Sequence, residues 1–208
     1  MSLDEFAERS GFRQWLDEEE AAVPVLRRPV TLPIPQVGTH MAKWEGDVEY
    51  MAEQRITRKD NEITIISTSA EWPSTTVLRS DADGIHFVSR EGMSESGLYV
   101  VVRPGPRTLL RPSPLPMEPW WVATHATAKR GEKQLQVTMV TRYRVTKHST
   151  VQHASGPEDV VTIAASEFQM NPDRKLVPVL AAVAVVSCVT GWTMLTRLRK
   201  AGGSVQLR

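Results

Sequence analysis

The sequence predicts a mainly β protein: an antiparallel sheet that curves into a half-barrel, with a short amphipathic helix before it and one transmembrane helix after it. Three observations carry this prediction. From about Thr39 to Phe168, apolar and polar residues alternate in short runs punctuated by Gly, Pro, Asn and Asp. Prolines recur at 24, 29, 33 and 35, where neither a helix nor an interior strand survives. Leu176 to Thr196 is an uncharged run closed by Lys175 and Arg197. The chain accordingly divides into an amphipathic segment at 1–22, a proline-rich linker at 23–38, a β-rich domain at 39–172, a membrane-crossing helix at 176–196 and a basic tail at 197–208.

Ser2-Leu3-Asp4-Glu5 reads as a capping box, its hydroxyl and carboxylate satisfying the free amides of a first helical turn. Leu3 and Phe6 form an apolar face that resumes after Gly11 with Phe12, Trp15 and Leu16, and acids lie opposite. Such a face packs on its own domain or docks a partner protein. The linker is expected as an extended connector on the surface or along a sheet edge. In the β region, Gln54–Arg58 and Glu62–Thr68 flank the turn Lys59-Asp60-Asn61. Thr75–Arg79 and Ile85–Ser89 flank a second at 80–84, and Trp121–Ala128 and Gln134–Val145 a third at 130–133. With Leu98–Val102 and Val160–Ala164 the total comes to about eight to ten strands, enough for a sheet to curl or close.

At a rise of about 1.5 Å per residue, the run from Leu176 to Thr196 spans about 31 Å as a helix, the thickness of a hydrocarbon core. Leu176, Val179, Leu180, Val183, Val186 and Leu195 supply its apolar surface, and Trp192 falls near headgroup depth. Pro178 sits in the first turn, where its missing N–H costs nothing, and the Ser and Thr hydroxyls can bond back to the helix. Arg174 and Lys175 flank the run before it, Arg197, Arg199 and Lys200 after it.

Charge is balanced, 25 basic against 24 acidic residues, so no global field calls for nucleic acid. The middle of the chain is locally basic around Trp120, Trp121 and Tyr143, but Glu118 and Glu132 interrupt it. The single cysteine, Cys188, lies in the apolar run, which excludes disulfide, zinc-thiolate and cysteine-nucleophile chemistry for the β domain. Of the histidines at 40, 86, 125, 148 and 153, His148 and His153 fall on opposite strand faces; only His86 and His125 are candidates for approach in a folded sheet. Glu45, Asp47 and Glu49 share one parity as an acidic edge. No phosphate loop, Gly-x-Ser-x-Gly or metal-spaced His/Cys set occurs, so the sequence predicts no enzyme and no cofactor or metal.

The C-terminal run with its basic flanks resembles the tail anchors of mitochondrial outer-membrane proteins. That resemblance implies a cytosol-facing domain held in a lipid bilayer and working through protein partners, as an adaptor or complex subunit in protein import or organelle assembly. A second resemblance covers about 98–168: a strand ending at Val102, the proline-rich Leu109–Pro116, the pair Trp120-Trp121, and Val160 to Phe168. This order is similar to the half-barrel domains of bacterial lipoprotein-carrier-like proteins, although Ala165-Ser166-Glu167-Phe168 replaces their Gly-Thr-Phe. It implies a curved sheet and, with Trp44, Trp72, Trp120 and Trp121, an alternative function: binding of a lipid or another apolar ligand at a membrane surface.

Overall fold

Gly38–Gly46 (β1), Tyr50–Lys59 (β2), Glu62–Thr68 (β3), Ser74–Asp81 (β4), Gly84–Met93 (β5) and Tyr99–Pro104 (β6) open a succession of strands. Leu109–Pro112 (β7), Trp120–Arg130 (β8), Lys133–His153 (β9), Gly156–Met170 (β10), Leu176–Ser187 (β11) and Thr193–Lys200 (β12) complete it. The structure, a computed structural model, describes residues 29–46, 49–70, 72–93, 99–104, 108–130, 132–153, 156–170 and 176–200, and no helix occurs among them. The predicted N-terminal helix with Leu3, Phe6, Phe12, Trp15 and Leu16, and the flanking Arg174 and Lys175, lie outside the described residues.

One sheet contains all twelve strands, in the order β4-β3-β2-β1-β12-β11-β10-β9-β8-β6-β5-β7, and β4 also pairs with β5. The sheet is therefore a closed ring rather than a half-barrel. β6 and β7 run end to end along β5, so the ring is eleven strands wide. Neighbours are antiparallel except β1 and β12, which meet in parallel with Lys43 opposite Leu195 and Glu45 opposite Arg197. The three hairpins read from the turn residues form as β2–β3, β4–β5 and β8–β9. At the first of them Asp60 takes φ 54°, a left-handed conformation that Asp tolerates.

The run from Leu176 to Thr196 is β11, a turn and the start of β12, not a membrane-crossing helix. It is rich in Val and Ala, and β-branched residues suit a pleated surface. Its residues divide between two faces: Ala182, Ala184 and Val186 pair with Ala165, Ile163 and Val161, while Val183 is exposed on the other face. A strand apolar on both faces is indistinguishable by periodicity from an apolar helix. The chain then turns sharply. The Ser187 hydroxyl accepts the amides of Val189 and Thr190 at 3.1 and 2.9 Å. Gly191 takes φ 72°, and a Cβ there would stand 2.6 Å from the Pro33 carbonyl. Val179 lies at a register shift, Leu180 and Leu195 are paired wall residues, and Trp192 packs on the core. The predicted flank Arg197 instead bonds Glu45 across the parallel seam at 3.1 Å, with Lys43 2.6 Å from the same carboxylate. Arg199 and Lys200 lie opposite Ala181 and Leu180 on β12. No helix among the described residues is long and apolar enough to cross a membrane.

Burial identifies the inside of the ring. Along β2, Ala52 and Ile56 are buried while Met51, Glu53, Arg55 and Thr57 are exposed. Ile56, Ile63, Leu78 and Ile85 form one core cluster, with Phe87, Leu110 and Trp192 against it. Val145, Val161, Ile163 and Val186 form another with Val30, Leu32 and Leu115, and Trp120 and Tyr143 pack on that. Each such side chain contributes about 1.5–3 kcal/mol. Of the proline-rich stretch, the described residues 29–38 turn Val30, Leu32 and Pro35 into the interior while Thr31, Ile34 and Gln36 stay exposed, so this part is more than a surface connector. Residues 30–36 form a strap across the lumen: the Leu115 amide donates to Val30 O at 2.8 Å, the Gln36 amide to Thr190 O at 2.9 Å, and Trp192 Nε1 to Gln36 O at 2.8 Å. Proline makes the burial feasible, because Pro33 and Pro35 bring no N–H that the interior would have to satisfy.

Candidate functional site

Wall side chains suffice to fill a ring of about eight strands, whereas eleven enclose more space. Here the two clusters and the strap occupy one half, at the end bearing the β2–β3, β4–β5 and β11–β12 turns. Towards the other end, inward positions carry smaller or only half-buried residues: Val100, Val102, Ala128, Leu180 and Ala182, with Ala126 buried between them. Register places these on one face. Val102 opposes Ala126, Val100 opposes Ala128, and Ala182 opposes Ala165, in line with the core residue Ile163.

Arg90 belongs to the same face. It opposes Thr76 on one side and Val102 on the other, and Thr76 opposes Ile65, which packs on the second cluster. It is nonetheless exposed, so solvent reaches this inner position. The floor beneath is Trp120 stacked on Tyr143, centroids 5.4 Å apart, with Trp120 Nε1 donating to Leu110 O at 3.0 Å. Burial raises the Tyr143 phenol well above its ordinary value and Glu167 adds to this. A Thr141 hydrogen bond and the Arg90 charge act the other way. Deeper in, burial pushes Arg111 down to about 10, and its Nη2 donates to Pro33 O at 2.7 Å, which fastens the strap. At the far rim Trp44 stacks on Tyr50 at 4.7 Å, and Tyr50 meets Trp72 edge-on at 4.7 Å. A shallow groove of about 220 Å³ between Ile66, Pro73, Glu91 and Tyr99 lies at the barrel's edge.

The remaining candidates are structural. Ser187 donates to the Glu158 carboxylate, but it is fully buried and its oxygen also holds the β11–β12 turn, so it is no accessible nucleophile. Cys188 is pushed up by burial, then by Asp159 and Glu158, which suppresses the reactive thiolate. His86 and His125 do not converge: His86 Nε2 lies 2.8 Å from Asp81, at an angle that is not a hydrogen bond, and His125 Nδ1 lies 3.2 Å from Thr138 Oγ1. The described residues hold no group of three His, Cys, Asp or Glu fit for a metal. Among the tryptophans read as ligand-facing, Trp44 and Trp72 are at the rim and Trp120 at the floor, whereas Trp121 contacts Phe168, with Arg142 over its ring at 5.8 Å. Sequence reading missed Arg90, Glu167, Ala126 and Ala128. The small residues Thr124, Ala126 and Ala128, which share one strand parity, were the available signal for a thin inner wall.

His40 gives a pH prediction. It stacks on Trp192 at 4.4 Å with 7° between the rings, Nε2 lies 3.3 Å from Thr193 O, and Nδ1 is buried without a partner. Burial lowers its pKa below 6.5, outweighing the opposing effects of Thr193 and Gln54. Between the lowered folded value and 6.5 the unfolded chain binds more protons, so stability is full above 6.5 and falls as pH drops through that window. Urea midpoints measured from pH 7.5 to 5 are expected to decline, and His40→Phe to flatten that decline; an unchanged slope in the variant would refute this.

No family model, curated protein or solved structure matches the chain.

Proposed function

We propose that the protein is a non-catalytic binding barrel that holds an apolar small molecule in the half of its lumen beyond the strap. The carrying observation is the contrast between the two halves: Leu32, Val145 and Val161 pack tightly at one end, while Val100, Val102 and Ala128 remain half-buried on the inner face at the other. Ligand sites are concave and mostly apolar, with few convergent polar groups, and this end offers Arg90 and Glu167 above the Trp120–Tyr143 floor. The alternative of a membrane-tethered adaptor loses its motivation once 176–196 forms wall strands.

Native mass spectrometry of the purified full chain tests this reading. A small-molecule adduct is expected that dissociates on denaturation and is absent from Ala128→Trp, which fills the lumen while leaving the filled half alone. An adduct retained by that variant, or no adduct together with no uptake of added apolar dye, would overturn it.

A further inference from the structure

The proposed lumen site also carries a mark of what its ligand ends in. Arg90 is a cation on the inner wall, in register with Thr76 and Val102, and it has no ion-pair partner among the described residues. The register carries this placement, since Thr76 lies in line with Ile65 of the core and Val102 in line with buried Ala126. The wall beside it is apolar: Val100 and Val102 on one strand, Ala126 and Ala128 on the next. We infer that the barrel takes a single-chain amphiphile with a monoanionic carboxylate head, the head ion-paired with Arg90 and the chain lying along Val100, Val102, Ala126 and Ala128.

The chemistry selects this class in two ways. A guanidinium presents two parallel N–H donors that match a carboxylate, and an amphiphile's chain buried on the apolar wall holds its head at the solvent-reached Arg90. Glu167 lies on the same inner face, opposite Leu180 on β11 and Thr141 on β9, and a carboxylate on that wall disfavours a dianionic phosphate head more than a monoanion. This assignment rests on the lumen reading above, and its test separates the two.

The measurement is titration calorimetry of the full chain with dodecanoate, dodecanol and dodecyl phosphate. Dodecanoate is expected to bind at least tenfold more tightly than either of the others. Arg90→Gln is expected to weaken dodecanoate by about ten- to hundredfold and bring the dodecanoate-to-dodecanol ratio towards one, with Arg90→Lys intermediate. With carboxyl-labelled dodecanoate, the bound head titrates below the free acid in the parent protein and returns towards it in Arg90→Gln. If Arg90→Gln binds dodecanoate like the parent while Ala128→Trp binds none of the probes, the lumen stands and the head-group assignment fails. If Ala128→Trp binds dodecanoate undiminished, the lumen reading itself fails. Thermal melts of each variant identify misfolding, and should Ala128→Trp not fold, Val100→Phe on the neighbouring strand β6 replaces it.

Discussion

Leu32→Asp is expected to destabilise the barrel by about 4 kcal/mol or more, a large share of a typical domain's 5–15. Leu32 is buried among Val145, Val161, Ile163 and Val186, on walls formed by β9, β10 and β11. Removing the isobutyl group alone, as in Leu32→Ala, costs about 2–5 kcal/mol in transfer and cavity terms. A carboxylate at the same place adds desolvation among apolar neighbours, since the nearby Arg111 guanidinium is engaged by the Pro33 carbonyl. Urea unfolding followed by tryptophan fluorescence measures both variants, and Trp120 and Trp192 report the two clusters against which the strap lies. A Leu32→Asp midpoint equivalent to less than about 1 kcal/mol of loss would mean that the strap contributes little to the core.

Gly46→Ala acts at the seam. Gly46 has φ 107° and lies opposite Leu198, so its added Cβ would sit 2.1 Å from the Leu198 carbonyl oxygen. The clash is with backbone, which cannot swing aside as a side chain can, so β1 must part from β12. The expected cost is about 2–4 kcal/mol, the sum of left-handed strain and lost parallel pairing. Gly156→Ala is the matched control: φ is 122°, but nothing lies within 4 Å of the added Cβ, so only the strain remains, about 1 kcal/mol. Hydrogen exchange localises the effect, with amides of β1 and β12 losing protection before those of β8 and β9. Equal losses in the two glycine variants would contradict the steric argument.

Local rules in the sequence exposed the strands and hairpins, because alternation and turn chemistry act over a few residues. Lys59-Asp60-Asn61 announces its hairpin wherever the chain later goes. Closure was hidden because it depends on β1 meeting β12 across most of the chain, and no local pattern encodes that partner. The apolar run misled for a physical reason: Ala181 to Val186 is apolar on both strand faces, and that pattern fits lipid as readily as a barrel wall. The strap misled in the same way, since proline signals an extended backbone and says nothing of burial. Of the site, the aromatic floor was half legible in Trp120, but Arg90 looked like any outward arginine until the bulge beside Val77 and Leu78 set its face.

The parallel seam also constrains how the barrel can be made. Lys43 and Leu195 are neighbours in space but lie about 150 residues apart in the chain, and closing so long a loop costs about 4.5 kcal/mol of chain entropy. Hairpins such as β2–β3 and β8–β9 need no such closure and can form early, whereas the ring is complete only when β12 reaches β1. Until then two unpaired strand edges and an apolar inner face stand open, a species prone to self-association. Refolding yield should therefore fall steeply with protein concentration, even where the closed barrel, once formed, is stable.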